Sequence, residues 1–245
     1  MITKKKSLGQ HFLTNRHYLG AVADAAQITK GDTVVEIGPG EGTLTAVLLE
    51  RGAKVVALEK DSRLIELLRD KFKGEKFEVI EGDALDFVPP KKYKLVGNIP
   101  YYITGALLRK FLSEKNQPNT LVFLMQKEVA ERIARSKKES ILSLSIKAYG
   151  DVNYVKTVPR GAFNPPPKVD SAILAVEHIS RKNFTNAAHE NKFFELVKKG
   201  FSSKRKMLAG NLGKEYSNTL QNVGVSLKAR AEDLPLAQWL KLSQS

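Results

Sequence analysis

The chain has 245 residues, which is long enough for one large α/β domain and a small additional domain. It contains no cysteine, so disulfides, thiolate nucleophiles, Cys-ligated zinc and iron–sulfur clusters are excluded. The 40 lysines and arginines against 26 aspartates and glutamates give a formal net charge of +14, which favours a polyanionic partner over a merely solvated basic surface.

Membrane and metal association are not expected from the sequence. No apolar run reaches the roughly 18 to 20 residues of a membrane span, and the basic start of the chain has no apolar signal core. The four histidines show no metal-ligand spacing. We therefore expect a soluble, cytoplasmic protein without a bound metal, and nothing in the sequence demands more than a monomer.

Residues 33–126 alternate short apolar runs with longer segments whose apolar residues recur at helical spacing. This alternation predicts an α/β fold with a doubly wound sheet. One more apolar run, residues 169–179, follows a proline-rich segment, and we expect it to close the edge of the sheet. The runs predicted as strands in the first region are TVVEIG, KVVALE, FEVIEGD, KLVGN and TLVFLMQ.

The last quarter of the chain has a different pattern. The polar stretch 180–191 predicts a linker, and the sequence after it has helical spacing throughout. We therefore predict a larger α/β domain in residues 1–180 and a helical domain in residues 181–245. The helical domain carries 12 basic and 5 acidic residues, which makes it the more densely cationic part.

A glycine-rich turn follows the first predicted strand in VVEIGPGEGTLT. Glycines let a ligand approach the backbone closely, and doubly wound sheets bind ligands at this carboxyl edge. Gly38, Gly40 and Gly42 are spaced GxGxG, which matches neither the Walker A loop nor the dinucleotide fingerprint. Glu36, just before the turn, would repel a pyrophosphate and suit a cationic ligand.

Two more carboxylates follow the next two predicted strands. Glu59, with Lys60 beside it, ends KVVALE, where a carboxylate can accept both hydroxyls of a ribose. Asp83, followed by Ala84, can accept a hydrogen bond from the exocyclic amine of adenine. Each acid alone is more often an ordinary strand-end residue, but together with Glu36 they predict an acidic, phosphate-free cleft. Such a cleft favours S-adenosylmethionine as the cofactor.

The fourth predicted strand leads into VGNIPYYIT, which lies at the same edge of the sheet. If the Asn98 side-chain oxygen and the Ile99 carbonyl each accept one N–H of an adenine amine, the nitrogen lone pair is aimed at the methyl donor. After the turn at Pro100, Tyr101 can stack on the base, and Phe163 can reach it from the other side on a proline-stiffened loop. The alternative interpretation makes Tyr101 and Phe163 ordinary core aromatics.

Six motifs together resemble those of the ribosomal RNA adenine N6-dimethyltransferases, over essentially the whole chain. Two segments, FNPPPKVDS and GFSSKRKMLAGNL, look like the KsgA branch more than the Erm resistance branch. The resemblance implies a Rossmann-like S-adenosylmethionine-dependent methyltransferase domain with a small all-helical C-terminal domain that binds RNA or the ribosome. It also implies N6,N6-dimethylation of two adjacent adenosines near the 3′ end of small-subunit (16S) rRNA in the assembling 30S particle. The motifs are GQHFL, EIGPGEGTLT, LEKD, GDAL, NIPYYIT and FNPPPKVDSA.

By motif, the resemblance further implies that His11 and Leu13 edge the cofactor pocket and that Gly38 lines its methionine end. His11 stands where many members of the family have asparagine. Lysines 4–6 and the basic residues 204–206 are candidate phosphate contacts.

Alternative functions stay open at this point. An Erm-like enzyme would methylate large-subunit rRNA, and an assembly factor would bind immature small subunits with secondary or no catalysis. The intact segment from Asn98 to Tyr101 argues against an inactive protein. A DNA adenine methyltransferase is disfavoured, because no segment resembles a base-reading recognition domain.

Overall fold

The computed structural model of the protein describes residues 11–99 and 102–244. Pro100, Tyr101 and lysines 4–6, which the sequence singled out, lie outside the described residues. The described residues contain nine strands: β1 (Phe12–Leu13), β2 (Thr33–Ile37), β3 (Lys54–Glu59), β4 (Phe77–Glu81), β5 (Lys94–Asn98), β6 (Leu121–Gln126), β7 (Asp151–Val158), β8 (Phe163–Asn164) and β9 (Ser171–Glu177).

Seven of these strands form one sheet in the order β4-β3-β2-β5-β6-β9-β7. Strands β2 to β6 are mutually parallel, whereas β9 is antiparallel to β6 and β7 is antiparallel to β9. Consecutive residues such as Val34 and Val35 are both fully buried, so both faces of the sheet are covered. The five strands predicted in residues 33–126 and the doubly wound architecture are therefore confirmed.

The prediction that the last apolar run closes the edge of the sheet was wrong. That run forms β9, which pairs with β6 on one side and with β7 on the other. Six successive residues of β9 are buried, as an inner strand requires, whereas the residues of β7 are mostly exposed or half-buried. Strand β7 is the edge at this end of the sheet, as β4 is at the other, and its polar residues leave it without an apolar run.

Ten α-helices complete the described part of the chain. Helix α3 illustrates how the sequence sets them: the side chain of Asp61 accepts the N–H of Arg63 and caps the helix, a contact that stabilises it by about 1 kcal/mol. Leu64 and Leu68, one turn apart, are buried on its inner face. The helices are α1 (Arg16–Ala25), α2 (Thr43–Glu50), α3 (Ser62–Lys71), α4 (Thr104–Ser113), α5 (Lys127–Ala134), α6 (Ile141–Lys147), α7 (Ala187–Gly200), α8 (Leu208–Leu212), α9 (Ser217–Asn222) and α10 (Leu236–Gln244).

The chain divides into two compact units. The first contains Met1–Glu131 and Asp151–Ile179, and the second contains Arg132–Gly150 and Ser180–Ser245. The boundary predicted at residue 180 would leave residues 132–150 in the first domain, whereas helix α6 of that segment packs against α7. Among the described helices, none is long and apolar enough to cross a membrane.

Within the second unit, the predicted linker is shorter than expected. Helix α7 already begins at Ala187, because the Asn186 side chain accepts the N–H of His189 and caps the helix. The helix ends at Gly200, and the Asn211 amide donates to the carbonyls of Gly200 and Ser203 at 2.6 and 3.0 Å. This side chain therefore satisfies the carbonyl of Gly200, which the end of α7 leaves without a helical partner, and also binds the turn that follows the helix.

Candidate functional site

A cavity of about 350 Å³ opens at the carboxyl ends of β2, β3, β4 and β5, within the first unit. Strand order reverses between β2 and β5, and such a switch point is where doubly wound sheets bind ligands. Most of the residues predicted from the sequence to bind a ligand meet here. The lining comprises His11, Phe12, Ile37, Gly38, Gly40, Leu58, Glu59, Lys60, Gly82, Asp83, Ala84, Asn98, Ile99, Tyr102, Ile103 and Phe163.

The N–H groups of the glycine turn after β2 donate hydrogen bonds to acceptors within the protein. Gly38, Gly40 and Gly42 have φ of 66°, 58° and 75°, a conformation that glycine adopts without strain. Their N–H groups donate to the Leu58 carbonyl at 2.9 Å, to Glu59 Oε2 at 3.2 Å and to the Pro39 carbonyl at 2.9 Å. These three donors are thus already engaged, so the turn offers close approach to a ligand rather than a phosphate cradle.

We expect Gly40→Ala to destabilise the protein by about 1 to 2 kcal/mol and to weaken ligand binding in the cavity. A β-carbon on Gly40 would lie 2.4 Å from Cε1 of Phe12, which lines the same cavity, and the positive φ adds strain. Chemical denaturation measures the change in the free energy of unfolding. Gly20→Ala, in helix α1 with no atom within 4 Å of the new methyl group, is the matched control and should be neutral or stabilising. Equal effects of the two substitutions would contradict the prediction.

The Glu59 carboxylate organises the turns on both sides of it. Oε1 accepts the N–H groups of Lys60 at 2.8 Å and Asp61 at 2.9 Å, and Oε2 accepts the N–H of Gly40. The side chain is buried, and this burial raises the pKa of Glu59 above its ordinary value against the opposing effect of the three hydrogen bonds. A carboxylate has about four acceptor positions, so capacity remains for a ligand hydroxyl.

Asp83 and Lys60 form an ion pair at the rim of the cavity. Lys60 Nζ lies 3.0 Å from Asp83 Oδ2, and the N–H of Leu85 donates to Asp83 Oδ1 at 2.9 Å. The hydrogen bond from the Leu85 N–H lowers the pKa of Asp83 most, and the hydrogen bond from Lys60 lowers it further. This carboxylate is therefore ionised at neutral pH. Lys60 therefore orients one Asp83 oxygen at the place where the sequence predicted an adenine contact.

The Asn98 amide has a fixed orientation. Its Nδ2 donates to the backbone carbonyl of His11 at 2.7 Å. A carbonyl can only accept, so the amide nitrogen must face His11 and Oδ1 must be turned away from it. The next residue, Ile99, is buried and extends the pairing with β6 by donating its N–H to the Leu124 carbonyl at 3.2 Å. Asn98 is thus held at the end of a central strand with its acceptor oxygen oriented.

A small two-stranded sheet brings Phe163 to the cavity. Strands β1 and β8 pair antiparallel, with Phe12 opposite Asn164 and Leu13 opposite Phe163. Phe163 is only 5% exposed, and its ring belongs both to the apolar core and to the cavity lining. The two sequence interpretations of this residue, core aromatic and base contact, are therefore compatible.

Two residues predicted to bind the cofactor, Glu36 and Leu13, do not line this cavity. Both line a separate space of about 20 Å³, which is enough for roughly one water molecule. Thr45 Oγ1 donates to Glu36 Oε2 at 2.6 Å, and burial raises the pKa of Glu36 to about 7. Glu36 thus links β2 to helix α2, the two elements that flank the glycine turn, and has a pKa close to neutral pH.

This titration predicts a pH-dependent stability. The pKa of Glu36 is higher in the folded chain than its ordinary value of 4.5, so the folded state binds the proton more tightly. The stability that the protonated Glu36 contributes is fully present below about pH 4.5 and is lost as the pH rises through about 7. The Glu36→Gln variant lacks the titration and can still accept from Thr45. We expect the free energy of unfolding of this variant, relative to that of the wild type, to rise by up to about 3 kcal/mol as the pH increases from 5 to 8.

Urea unfolding of the two proteins at both pH values measures the effect of this titration. A constant difference between them would contradict the assigned titration. Groups that do not interact with Glu36 titrate alike in both proteins and cancel in the comparison, whereas Glu59, whose charge raises the pKa of Glu36, adds to the difference.

Several residues that line the cavity were missed by sequence reasoning. Phe12, Leu58 and Ile103 are apolar residues beside predicted contacts, and no pattern separates such residues from core positions. Tyr102 has a visible signal, because it is a tyrosine within a loop motif, and the structure leaves it 72% exposed at the cavity. Within the described part of the chain, no three His, Asp or Glu side chains cluster closely enough to hold a metal ion.

The strand order, the glycine turn after β2 and the acids after β3 and β4 define the class of Rossmann-like S-adenosylmethionine-dependent methyltransferases. Within this class, the chain belongs to the ribosomal RNA adenine dimethylase family, whose model matches residues 1–245.

Individual relatives resemble the chain over nearly its whole length. A ribosomal RNA small subunit methyltransferase A from Dehalococcoides mccartyi is 41% identical over 253 residues, covering 97% of this chain and 87% of that protein. The crystal structure of a dimethyladenosine transferase from Plasmodium falciparum superposes with a TM-score of 0.80 at 31% identity, covering 95% of this chain and 96% of that one. The 23S rRNA methyltransferase ErmE also has a TM-score of 0.80, at 29% identity over 95% of this chain and 98% of its own.

Proposed function

We propose that this protein converts two adjacent adenosines near the 3′ end of small-subunit (16S) rRNA to N6,N6-dimethyladenosine, with S-adenosylmethionine as the methyl donor. The observation that carries the proposal is the fixed Asn98 amide, whose Oδ1 is turned away from His11 at the ligand cavity. Membership of the adenine dimethylase family and the high similarity to a small-subunit methyltransferase support the same activity.

The cavity fits S-adenosylmethionine better than a phosphate-bearing cofactor. The glycine N–H groups of the turn are engaged within the protein, and the Glu59 carboxylate beside them would repel phosphate. We propose that Glu59 accepts from the ribose hydroxyls, that Asp83 accepts from the adenine amine and that Gly38 permits close approach of the methionine part. When bound, S-adenosylmethionine supplies an electrophilic methyl group on a positively charged sulfur.

The chemical task of the protein is to make the adenine amine nucleophilic. The N6 lone pair is delocalised into the ring, so the amine reacts poorly in its planar form. In the first transfer, Oδ1 of Asn98 and the carbonyl of Ile99 would each accept one N–H, which favours a pyramidal nitrogen with its lone pair directed at the methyl group. In the second transfer, the monomethylated amine has one N–H left for one of these two acceptors. After transfer the nitrogen is cationic and acidic, so it loses a proton to water without a strong base. Phe163, and Tyr101 outside the described residues, would stack on the extruded base.

We propose that the second unit, with the basic residues 204–206, contributes to binding the assembling 30S particle in the cytoplasm. Lys204, Arg205 and Lys206 are exposed and follow helix α7. The net charge of the chain supports a polyanionic substrate. Residues 132–150 belong to the same compact unit, so the complete second unit is larger than residues 181–245.

A second candidate function is methylation of large-subunit rRNA, because the 23S rRNA methyltransferase ErmE has a fold of equal TM-score. Fold similarity does not discriminate between the two substrates. The greater identity to a protein named as a small-subunit methyltransferase favours the first candidate. An assembly factor without catalysis is less well supported, since Asn98, Glu59 and Asp83 all line one cavity.

The test is transfer of labelled methyl groups from S-adenosylmethionine to unmethylated small subunits, large subunits and naked rRNA in parallel. Nucleoside analysis identifies the product, and sequencing of the RNA locates it. We expect N6,N6-dimethyladenosine in the small subunit alone. Label confined to large-subunit RNA would replace the first candidate with the second, and tight binding to small subunits without label would favour the assembly factor.

A further inference from the structure

We infer that His11 is a positioning residue for methyl transfer, which ties the loop carrying Phe163 to the segment that orients Asn98. The inference rests on the proposed function, because it assigns the imidazole to the same site. It is separate from a contact with the cofactor: His11 lines the cavity, but Nδ1 of its imidazole has a partner in the loop that follows Phe163.

The first link is a hydrogen bond from the ring to that loop. Nδ1 of His11 lies 2.9 Å from the backbone carbonyl of Pro165, two residues beyond Phe163. A carbonyl can only accept, so Nδ1 carries the proton of this bond. The pairing of β1 with β8 places the two segments side by side, and the N–H of Thr14 adds a bond to the Ala162 carbonyl at 3.1 Å. The hydrogen bond from the His11 imidazole to Pro165 therefore extends the short β1–β8 ladder at the end opposite to the bond between Thr14 and Ala162.

The second link comes from the backbone of the same residue. The His11 carbonyl accepts from Asn98 Nδ2 at 2.7 Å and thereby sets the direction of Oδ1. Segment 11–13 is itself held on the glycine turn, because Thr43 Oγ1 donates to the Leu13 carbonyl at 2.8 Å. His11 thus joins the residue that would accept from the target amine to the loop that would stack on its base.

The two links have different sensitivity to mutation. Replacing His11 with alanine removes the bond to Pro165 but keeps the backbone carbonyl that orients Asn98. Because the ladder between β1 and β8 has only two residue pairs, the loop that carries Phe163 should then move more freely. The expected consequence is poorer stacking of the target base, with little change in the affinity for S-adenosylmethionine.

A double-mutant cycle between His11→Ala and Phe163→Ala tests this inference, with small subunits as the substrate. We expect His11→Ala to lower kcat/KM about tenfold in the wild-type background. In the Phe163→Ala background, the same substitution should change kcat/KM less than about twofold, because its effect runs through the missing ring. The dissociation constant for S-adenosylmethionine, measured by calorimetry, should differ less than about threefold between two variants that differ only at His11.

Two further comparisons separate positioning from general damage. His11→Asn places a side-chain N–H near the Pro165 carbonyl and should restore part of the lost activity. His17→Ala, which removes an exposed histidine in helix α1, is the matched control and should leave kcat/KM unchanged. Hydrogen exchange of residues 160–168 without any ligand should be faster in His11→Ala than in wild type or His17→Ala.

The outcomes distinguish this inference from the proposed function. An equal tenfold loss in both backgrounds, or a loss that follows the dissociation constant for S-adenosylmethionine, would overturn the positioning role and leave the proposed function intact. Unchanged hydrogen exchange in His11→Ala would overturn it as well. Absence of methyl transfer by the wild-type protein would refute the proposed function, and the exchange experiment would still decide whether His11 restrains the loop.

Discussion

Replacing Asn98 with alanine is expected to lower the rate of methyl transfer roughly 10²- to 10³-fold, while the affinity for S-adenosylmethionine changes less than about fivefold. In the proposed mechanism the amide oxygen accepts from the adenine amine, which becomes more positive as the new bond forms, so this interaction would be strongest in the transition state. The structure aligns this oxygen in advance through the bond between Nδ2 and the His11 carbonyl. Single-turnover transfer to small subunits and calorimetry with the cofactor measure the two quantities separately.

Two further substitutions separate the role of the Asn98 amide from the general effect of removing an asparagine side chain. Asn116 also donates its amide to a backbone carbonyl, that of Pro89 at 3.3 Å, but it does not line the cavity. Asn116→Ala should therefore transfer methyl groups at the wild-type rate. Asn98→Asp keeps an acceptor but cannot donate to the His11 carbonyl, and we expect it to be nearly as slow as Asn98→Ala. Normal turnover by either Asn98 variant would exclude the proposed role of the amide.

The sheet could be predicted from the sequence where burial on both faces produces continuous apolar runs. This holds for β2, β3, β5 and β6, which lie inside the sheet, and for β9. The sequence does not predict the edge strand β7, because its exposed positions carry polar residues, and without β7 the apolar run of β9 becomes the last predicted strand at this end of the sheet. The extent of the second unit was also missed, because residues 132–150 lie between two segments of the first unit and join the C-terminal helices only through tertiary packing.

The sequence predicts the polar residues of the candidate site better than the apolar residues that line the cavity around them. Parallel strands end at one edge, so Glu59, Asp83 and Asn98 could be brought together from their positions after successive strands. Glu36 also lies near the end of its strand, but it pairs with Ala57, two residues before Glu59, and its side chain is buried in the core beside Thr45. Strand alternation alone does not reveal which side of a doubly covered sheet meets a ligand.

The position of Phe163 and the partners of His11 depend on the pairing of β1 with β8. These strands are two residues long and about 150 positions apart in the chain. Two residues are too few for a periodic pattern, so sequence reasoning has no signal for this pairing. The link between the N-terminal segment and the Asn98 amide was inaccessible for the same reason.

Glu59→Ala is the second substitution with a large expected effect, and it should act on the cofactor first. We expect the dissociation constant for S-adenosylmethionine to rise at least about 100-fold, because the substitution removes the charged side chain that we propose as the acceptor of the ribose hydroxyls. The N–H groups of Gly40, Lys60 and Asp61 also lose their acceptor, so the turns around the cavity should loosen and stability should fall by about 2 kcal/mol. At saturating cofactor, the rate of transfer should fall much less than in Asn98→Ala.

A matched control lies on the neighbouring strand. Glu81 pairs with Glu59 in the parallel register of β3 and β4, but it is exposed and does not line the cavity. Glu81→Ala should therefore bind S-adenosylmethionine as the wild type does. Glu59→Gln keeps one oxygen for the backbone N–H groups and should recover stability more than affinity, because an amide cannot replace the charged acceptor at both hydroxyls. Wild-type affinity in Glu59→Ala would contradict the assigned ribose contact, and equal losses in the Glu59 and Glu81 variants would make it a general effect of charge at this edge of the sheet.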